Sequence, residues 1–154
     1  MKKRKVFVAL LLLVVIFGVM ASGCGKKVST NTIWAVNTGD KLSIEVSDES
    51  GFTLSKEVPF KLSKDGKEVS TGTFLEKAAY EQYIKSIKDD GVTKLLKEDK
   101  NEDIEYTFFS YGESEYSYLI YILNSQTAIK LENTTSAQSA QEAFEALTIK
   151  LESE

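Results

Sequence analysis

The chain has 154 residues, 19 basic against 23 acidic, one cysteine and no histidine. Without histidine, Ser-His-Asp and Cys-His catalysis, the usual zinc sites and imidazole proton relays are all excluded. Asp, Glu, Lys, Tyr and Ser remain as candidate catalytic groups, and with a single thiol no intrachain disulfide can form.

In chain order, the first feature is Lys2-Lys3-Arg4-Lys5, then an unbroken apolar run from Val6 to Ala21, then Ala21-Ser22-Gly23-Cys24-Gly25. A basic start, an apolar middle and small residues form an export signal. The positive charges hold that end on the cytoplasmic side. The run is slightly short for a permanent span of about 20 residues. The segment resembles a bacterial lipoprotein signal. Its one departure is Ala21, where a larger aliphatic residue is commoner. The resemblance implies cleavage between Gly23 and Cys24 and lipidation of Cys24 by a diacylglyceryl group. One acyl chain binds a membrane marginally and two hold it. An uncleaved anchor and a secretory signal cut elsewhere are the alternatives. The expected organisation is a signal peptide (1–23), a lipidated tether (24–32) and a single domain (33–154).

Loss of residues 1–23 removes four basic residues and no acidic ones, which leaves 15 basic against 23 acidic, a charge of −8. Nucleic acid demands basic patches and is not an expected partner. The acyl chains, not charge, are expected to hold the protein on the membrane. Lys26 and Lys27 can sit among headgroups or belong to a solvated tether.

Ile33–Val36 reads as a brief strand ended by the Asn37-Thr38-Gly39-Asp40 turn, and Trp34 within it reads as a core anchor rather than a recognition residue. Lys41–Val46 alternates, with Leu42, Ile44 and Val46 on one face, and predicts a half-buried strand. Phe52–Leu54 resumes extended structure. Asp65-Gly66 predicts a type I′ hairpin, both central residues tolerating φ > 0. A two-residue loop pairs Lys64 with Lys67, Ser63 with Glu68, Leu62 with Val69 and Phe60 with Thr71.

Thr73-Phe74-Leu75-Glu76 has the form of a capping box opening a helix. Tyr80, Tyr83, Ile84 and Ile87 form its apolar stripe, and Gly91 terminates it. Strands are expected at Val92–Lys97, Ile104–Tyr111, Tyr116–Leu123 and Thr127–Glu132, joined by short turns into an antiparallel meander. Ser136–Lys150 carries Ala140, Ala143, Phe144, Leu147 and Leu151 at helical spacing, with Thr135…Gln138 or Ser139…Glu142 as caps. The fold class is α+β, a mainly antiparallel sheet with two flanking helices.

Five of the seven tyrosines fall between residues 106 and 121. Tyr106, Tyr111, Tyr116, Tyr118 and Tyr121 allow two readings: core strands covered on both faces, or a tyrosine-rich surface that grips a ligand or protein. Asp99-Lys100-Asn101-Glu102-Asp103 starts like a calcium loop, but Ile104 replaces the required glycine and Ser110 the closing glutamate. It reads as an acidic hairpin connection, and neither metal nor cofactor is expected. Asn133-Thr134-Thr135 reads as a strand-to-helix link. Glu113/Glu115 and Asp89/Asp90 lie in solvated turns.

The order of elements resembles the PsbP-like α/β/α sandwich. With Asn124-Ser125-Gln126-Thr127 and Ser139-Ala140-Gln141-Glu142-Ala143-Phe144, it also resembles small lipoproteins of anaerobic Gram-positive bacteria. The resemblance implies an accessory or binding role and transfers no functional residue. The expected function is a membrane-anchored, extracytoplasmic binding module for another envelope protein or a small ligand. The alternative is an envelope hydrolase or transferase using carboxylates and tyrosines. A third possibility is a small structural subunit of a larger complex.

Overall fold

A computed structural model describes residues 30–153. The expected signal peptide, with Gly23 and Cys24, and the expected tether up to residue 29 lie outside the described residues. The elements run β1 (Thr30–Ala35), β2 (Lys41–Val46), a 3-10 turn (Asp48–Ser50), β3 (Phe52–Leu54), β4 (Phe60–Lys64), β5 (Lys67–Glu76) and α1 (Lys77–Asp89). They continue with β6 (Thr93–Lys100), β7 (Ile104–Tyr111), β8 (Glu115–Ile122), β9 (Thr127–Asn133), α2 (Ala137–Glu145) and β10 (Leu147–Leu151). The α+β class and the predominance of antiparallel sheet are as expected.

Two sheets form. The larger has seven strands in the order β3-β4-β5-β9-β8-β7-β6, the smaller three in the order β1-β2-β10. Every pairing is antiparallel. The meander β6-β7-β8-β9 forms as read, because short turns leave consecutive strands no option but adjacency. Alternation along β7 and β8 sends apolar side chains to both faces. On one face Phe108, Tyr118 and Ile120 pack with Leu42, Ile44 and Ile149 of the small sheet and with Ala140 and Ala143 of α2. On the other, Phe109, Leu119 and Ala128 meet Tyr80 and Ile87 of α1. The large sheet is therefore covered on both sides, which explains why its central strands lack a polar face.

The Asp65-Gly66 hairpin has φ of 53° and 76° at its two central residues. Lys64–Lys67 and Ser63–Glu68 pair as expected, but a bulge then shifts the register, so Leu62 faces Ser70 and Phe60 faces Gly72. The expected Leu62–Val69 and Phe60–Thr71 pairs do not form. The extra residue brings Gly72 under the Phe60 ring, where a Cβ would lie 2.0 Å from Cζ. Only glycine leaves room for that ring, and Phe60 is wholly buried.

Two helix expectations need correction. Thr73–Glu76 closes β5 instead of opening α1, and Glu76 makes no side-chain cap. Pairing of these residues with Lys130–Thr127 of β9 supersedes the local capping signal. The second helix stops at Glu145, and Leu147–Leu151 becomes β10. Leu147, Ile149 and Leu151 also alternate, and β2 offers them a free edge, so long-range pairing overrides helical spacing. The cap of α2 is Ser136, whose side chain accepts from Ser139 N, not Thr135 or Ser139. Gly91 ends α1 at φ 64° as expected, while Asp90 Oδ1 accepts from the N–H groups of Val92 and Thr93.

Candidate functional site

The five clustered tyrosines do not form one surface. Tyr118 is buried, its ring centroid 4.2 Å from Phe144 of α2 and 4.3 Å from Phe108. Tyr106 and Tyr116 are half-buried on that same face, Tyr106 also 4.6 Å from the Phe144 ring. Tyr121 points to the opposite face and stacks on Tyr80 at 5.3 Å. Tyr111 alone is open to solvent, at 53% exposure. The core reading accounts for Tyr106, Tyr116, Tyr118 and Tyr121 but not Tyr111, and the five do not share one binding surface, because alternation along β7 and β8 divides them between the faces.

Burial pushes the Tyr118 hydroxyl up from its ordinary value. Burial, reinforced by the Glu105 carboxylate, pushes Tyr80 up to about 12. Both hydroxyls stay protonated near neutral pH, and Tyr80 donates to Glu105 Oε1 at 3.4 Å. The shifted carboxylates move the other way: Glu68, Asp90, Asp99 and Glu142 are all held below the ordinary range. For Glu68 and Glu142 the first cause is a hydrogen bond from lysine, Lys61 and Lys64 respectively. For Asp90 it is the Thr93 hydroxyl, and for Asp99 the Lys100 N–H. None of these is raised toward neutrality as a general acid requires. Asp99 and Lys100 extend β6, paired with Tyr106 and Glu105 of β7, and the connection shrinks to residues 101–103, in which Asn101 Oδ1 accepts from the N–H groups of Asp103 and Ile104. Among the described residues no group of three or more acidic side chains is arranged to hold a metal ion.

A concave feature with a largely apolar lining lies where β1 leaves the small sheet. It is a cleft of about 350 Å³ bordered by Trp34, Val36, Thr38, Val58, Phe74 and Glu76. That volume falls at the lower end of the range for ligand sites, roughly 300–1,000 Å³. Trp34, Phe60 and Phe74 form an aromatic triangle behind it, with centroids 5.6–6.0 Å apart. Val58, in the connection between β3 and β4, is 63% exposed at the rim. Trp34 is thus a core residue that also borders the cleft, and its buried Nε1 has no hydrogen-bond acceptor.

The cleft walls are fixed by polar contacts. Asp40 Oδ2 accepts from Gln126 N at 2.8 Å, Thr127 Oγ1 at 2.6 Å and Thr38 Oγ1 at 3.3 Å. The β1–β2 turn is thereby clamped onto the β8–β9 turn. At the far end of β9, buried Asn133 donates to Ser70 and Ser139 and accepts from the N–H groups of Thr135 and Ser136. It ties β5, β9 and the start of α2 together, as a strand-to-helix link should.

Sequence reading missed the cleft and the Asp40 clamp. The Asn37–Asp40 turn signal was legible, but its partner lies 86 residues away at Gln126. A second hollow, beside Glu68, Glu115 and Glu132, is acidic, but Lys61 pairs with Glu68 and Lys130 with Glu132 at its margin. Among the described residues no helix is long and apolar enough to cross a membrane. Neither a protein-family model, nor a curated protein, nor a solved structure matches the chain.

Proposed function

We propose that this chain is exported, that a diacylglyceryl group on Cys24 holds it on the extracytoplasmic face of a membrane, and that its domain is a non-enzymatic binding module. The observation that carries the binding role is the cleft bordered by Trp34 and Phe74, an apolar hollow with an exposed rim at Val58. Beside it stands the downward shift of Glu68, Asp90, Asp99 and Glu142, which suits surface ion pairs and turns rather than acid–base chemistry. The anchoring rests on the sequence from Lys2 to Cys24.

The same reading assigns the domain to the PsbP-like α/β/α sandwiches. It is supported by the large sheet carrying α1 on one face and α2 on the other.

Anchoring is tested by metabolic labelling with a clickable fatty acid. The wild-type chain takes up label, and Cys24→Ser gives an unlabelled, unprocessed precursor. Label that survives the substitution would falsify the anchor. The binding role is tested by placing a photo-crosslinking residue at position 58 in intact cells, with position 150 as control. A discrete adduct at 58 alone supports it, and equal yields at both sites remove it.

A further inference from the structure

The ladder between β4 and β5 ends at the Phe60–Gly72 pair, so among the described residues Thr73–Glu76 have a strand partner only on the β9 side. Lys77 N–H donates to Gln126 O, which sets the direction of alternate backbone groups in this strand. Thr73 and Leu75 therefore turn their N–H and C=O groups toward β9. The groups of Phe74 turn to the open side, where no β4 residue pairs with them. Across the cleft β1 is likewise an edge strand, paired among the described residues with β2 alone. Two one-sided backbones thus border the same apolar hollow.

A one-sided strand has room for another extended chain, whose amides satisfy donors and acceptors that otherwise rely on water. The hollow beside it receives a side chain, and alternate side chains of the incoming strand supply specificity. The one charged residue on the cleft lining is Glu76, which is exposed and makes no capping hydrogen bond. A cation belongs next to it.

We propose that this cleft binds a short extended peptide segment of a partner protein by strand addition along Phe74, with an apolar side chain against Trp34 and Val58 and a Lys or Arg beside Glu76. This rests on the reading of the domain as a binding module and specifies its ligand.

The test uses the full chain in phosphatidylcholine nanodiscs and the fluorescence of Trp34, the only tryptophan. The probes are the blocked peptide acetyl-Lys-Val-Thr-Val-Thr-Lys-amide, its version N-methylated at alternate amides, its version with Glu in place of both Lys, and benzamide. The proposal expects saturable binding of the first peptide and about tenfold weaker binding of the N-methylated and Glu-flanked versions. Val58→Asp, at an exposed site, should weaken the first peptide by a similar factor without lowering the melting temperature. Glu76→Gln should remove the preference for Lys over Glu flanks. Equal binding of the N-methylated peptide overturns strand addition. Binding of benzamide without any peptide overturns the peptide proposal and leaves the binding-module reading standing. If no probe moves the fluorescence, the proposal and the cleft as the basis of that reading both fall.

Discussion

Gly72 is the residue on which the β4–β5 hairpin turns. A Cβ there would stand 2.0 Å from Phe60 Cζ, and Phe60 is fully buried beside Trp34 and Phe74, so the ring has nowhere to retreat. Overpacking of this kind costs typically ~1–3 kcal/mol and occasionally more. Gly72→Ala should fall at or above the top of that range in urea unfolding, and Phe60→Leu in the same chain should recover part of the loss. Tyr80 makes a second prediction. Its hydroxyl pKa is raised from 10.0 to about 12, chiefly by burial. A raised native pKa stabilises the fold while the unfolded phenol is still protonated, below 10, and the benefit drains away as pH climbs through 12. Thermal melts should fall across that window, and Tyr80→Phe should flatten the dependence.

The helices show where local signals hold and where pairing outranks them. Ser136 caps α2 by accepting from Ser139 N, and Ser136→Ala should cost about 1 kcal/mol in denaturant titration. Glu76→Ala should cost less than about 0.5 kcal/mol, since its carboxylate caps nothing and points to solvent. A larger loss for Glu76 than for Ser136 would revive the capping-box reading of residues 73–76. Those four residues have the right types for a box, yet six consecutive pairs with β9 occupy β5 up to Glu76. Leu147 and Leu151 likewise continue the helical stripe of Ala140, Ala143 and Phe144, but Ile149 lies on the same face as both in a strand. The empty edge of β2 then decides between the two periods. By contrast, β2 and β7 have the bounds that alternation predicts, because each turn beside them is marked by Gly, Asn or Asp in the sequence itself.

At the scale of the molecule, surface carboxylates link stability to acidity. Glu142 of α2 is held low by Lys64 of β4 at 2.7 Å, and Asp90, beyond α1, is held low by Thr93. Lowered native pKa values stabilise the fold above the ordinary values, 4.5 for Glu and 3.8 for Asp, and that contribution disappears as pH falls through the native ones. Melting temperature should drop below about pH 4, and Lys64→Met should soften the acid slope. Both groups are well solvated, so screening keeps each contribution small.

What the residues alone determined is the set of local events: turns that need positive φ, alternating strands, and the absence of imidazole chemistry. What the tertiary structure decided is which strand lies beside which, and with it the division of five tyrosines between two faces, the conversion of Leu147–Leu151 to a strand and the cleft itself. The reason is one of range. A turn or an alternation is settled within a few bonds of backbone, whereas the cleft gathers residues of β1, β5 and the β3–β4 connection, and the clamp beside it joins Asp40 to Gln126 and Thr127 across more than half the chain.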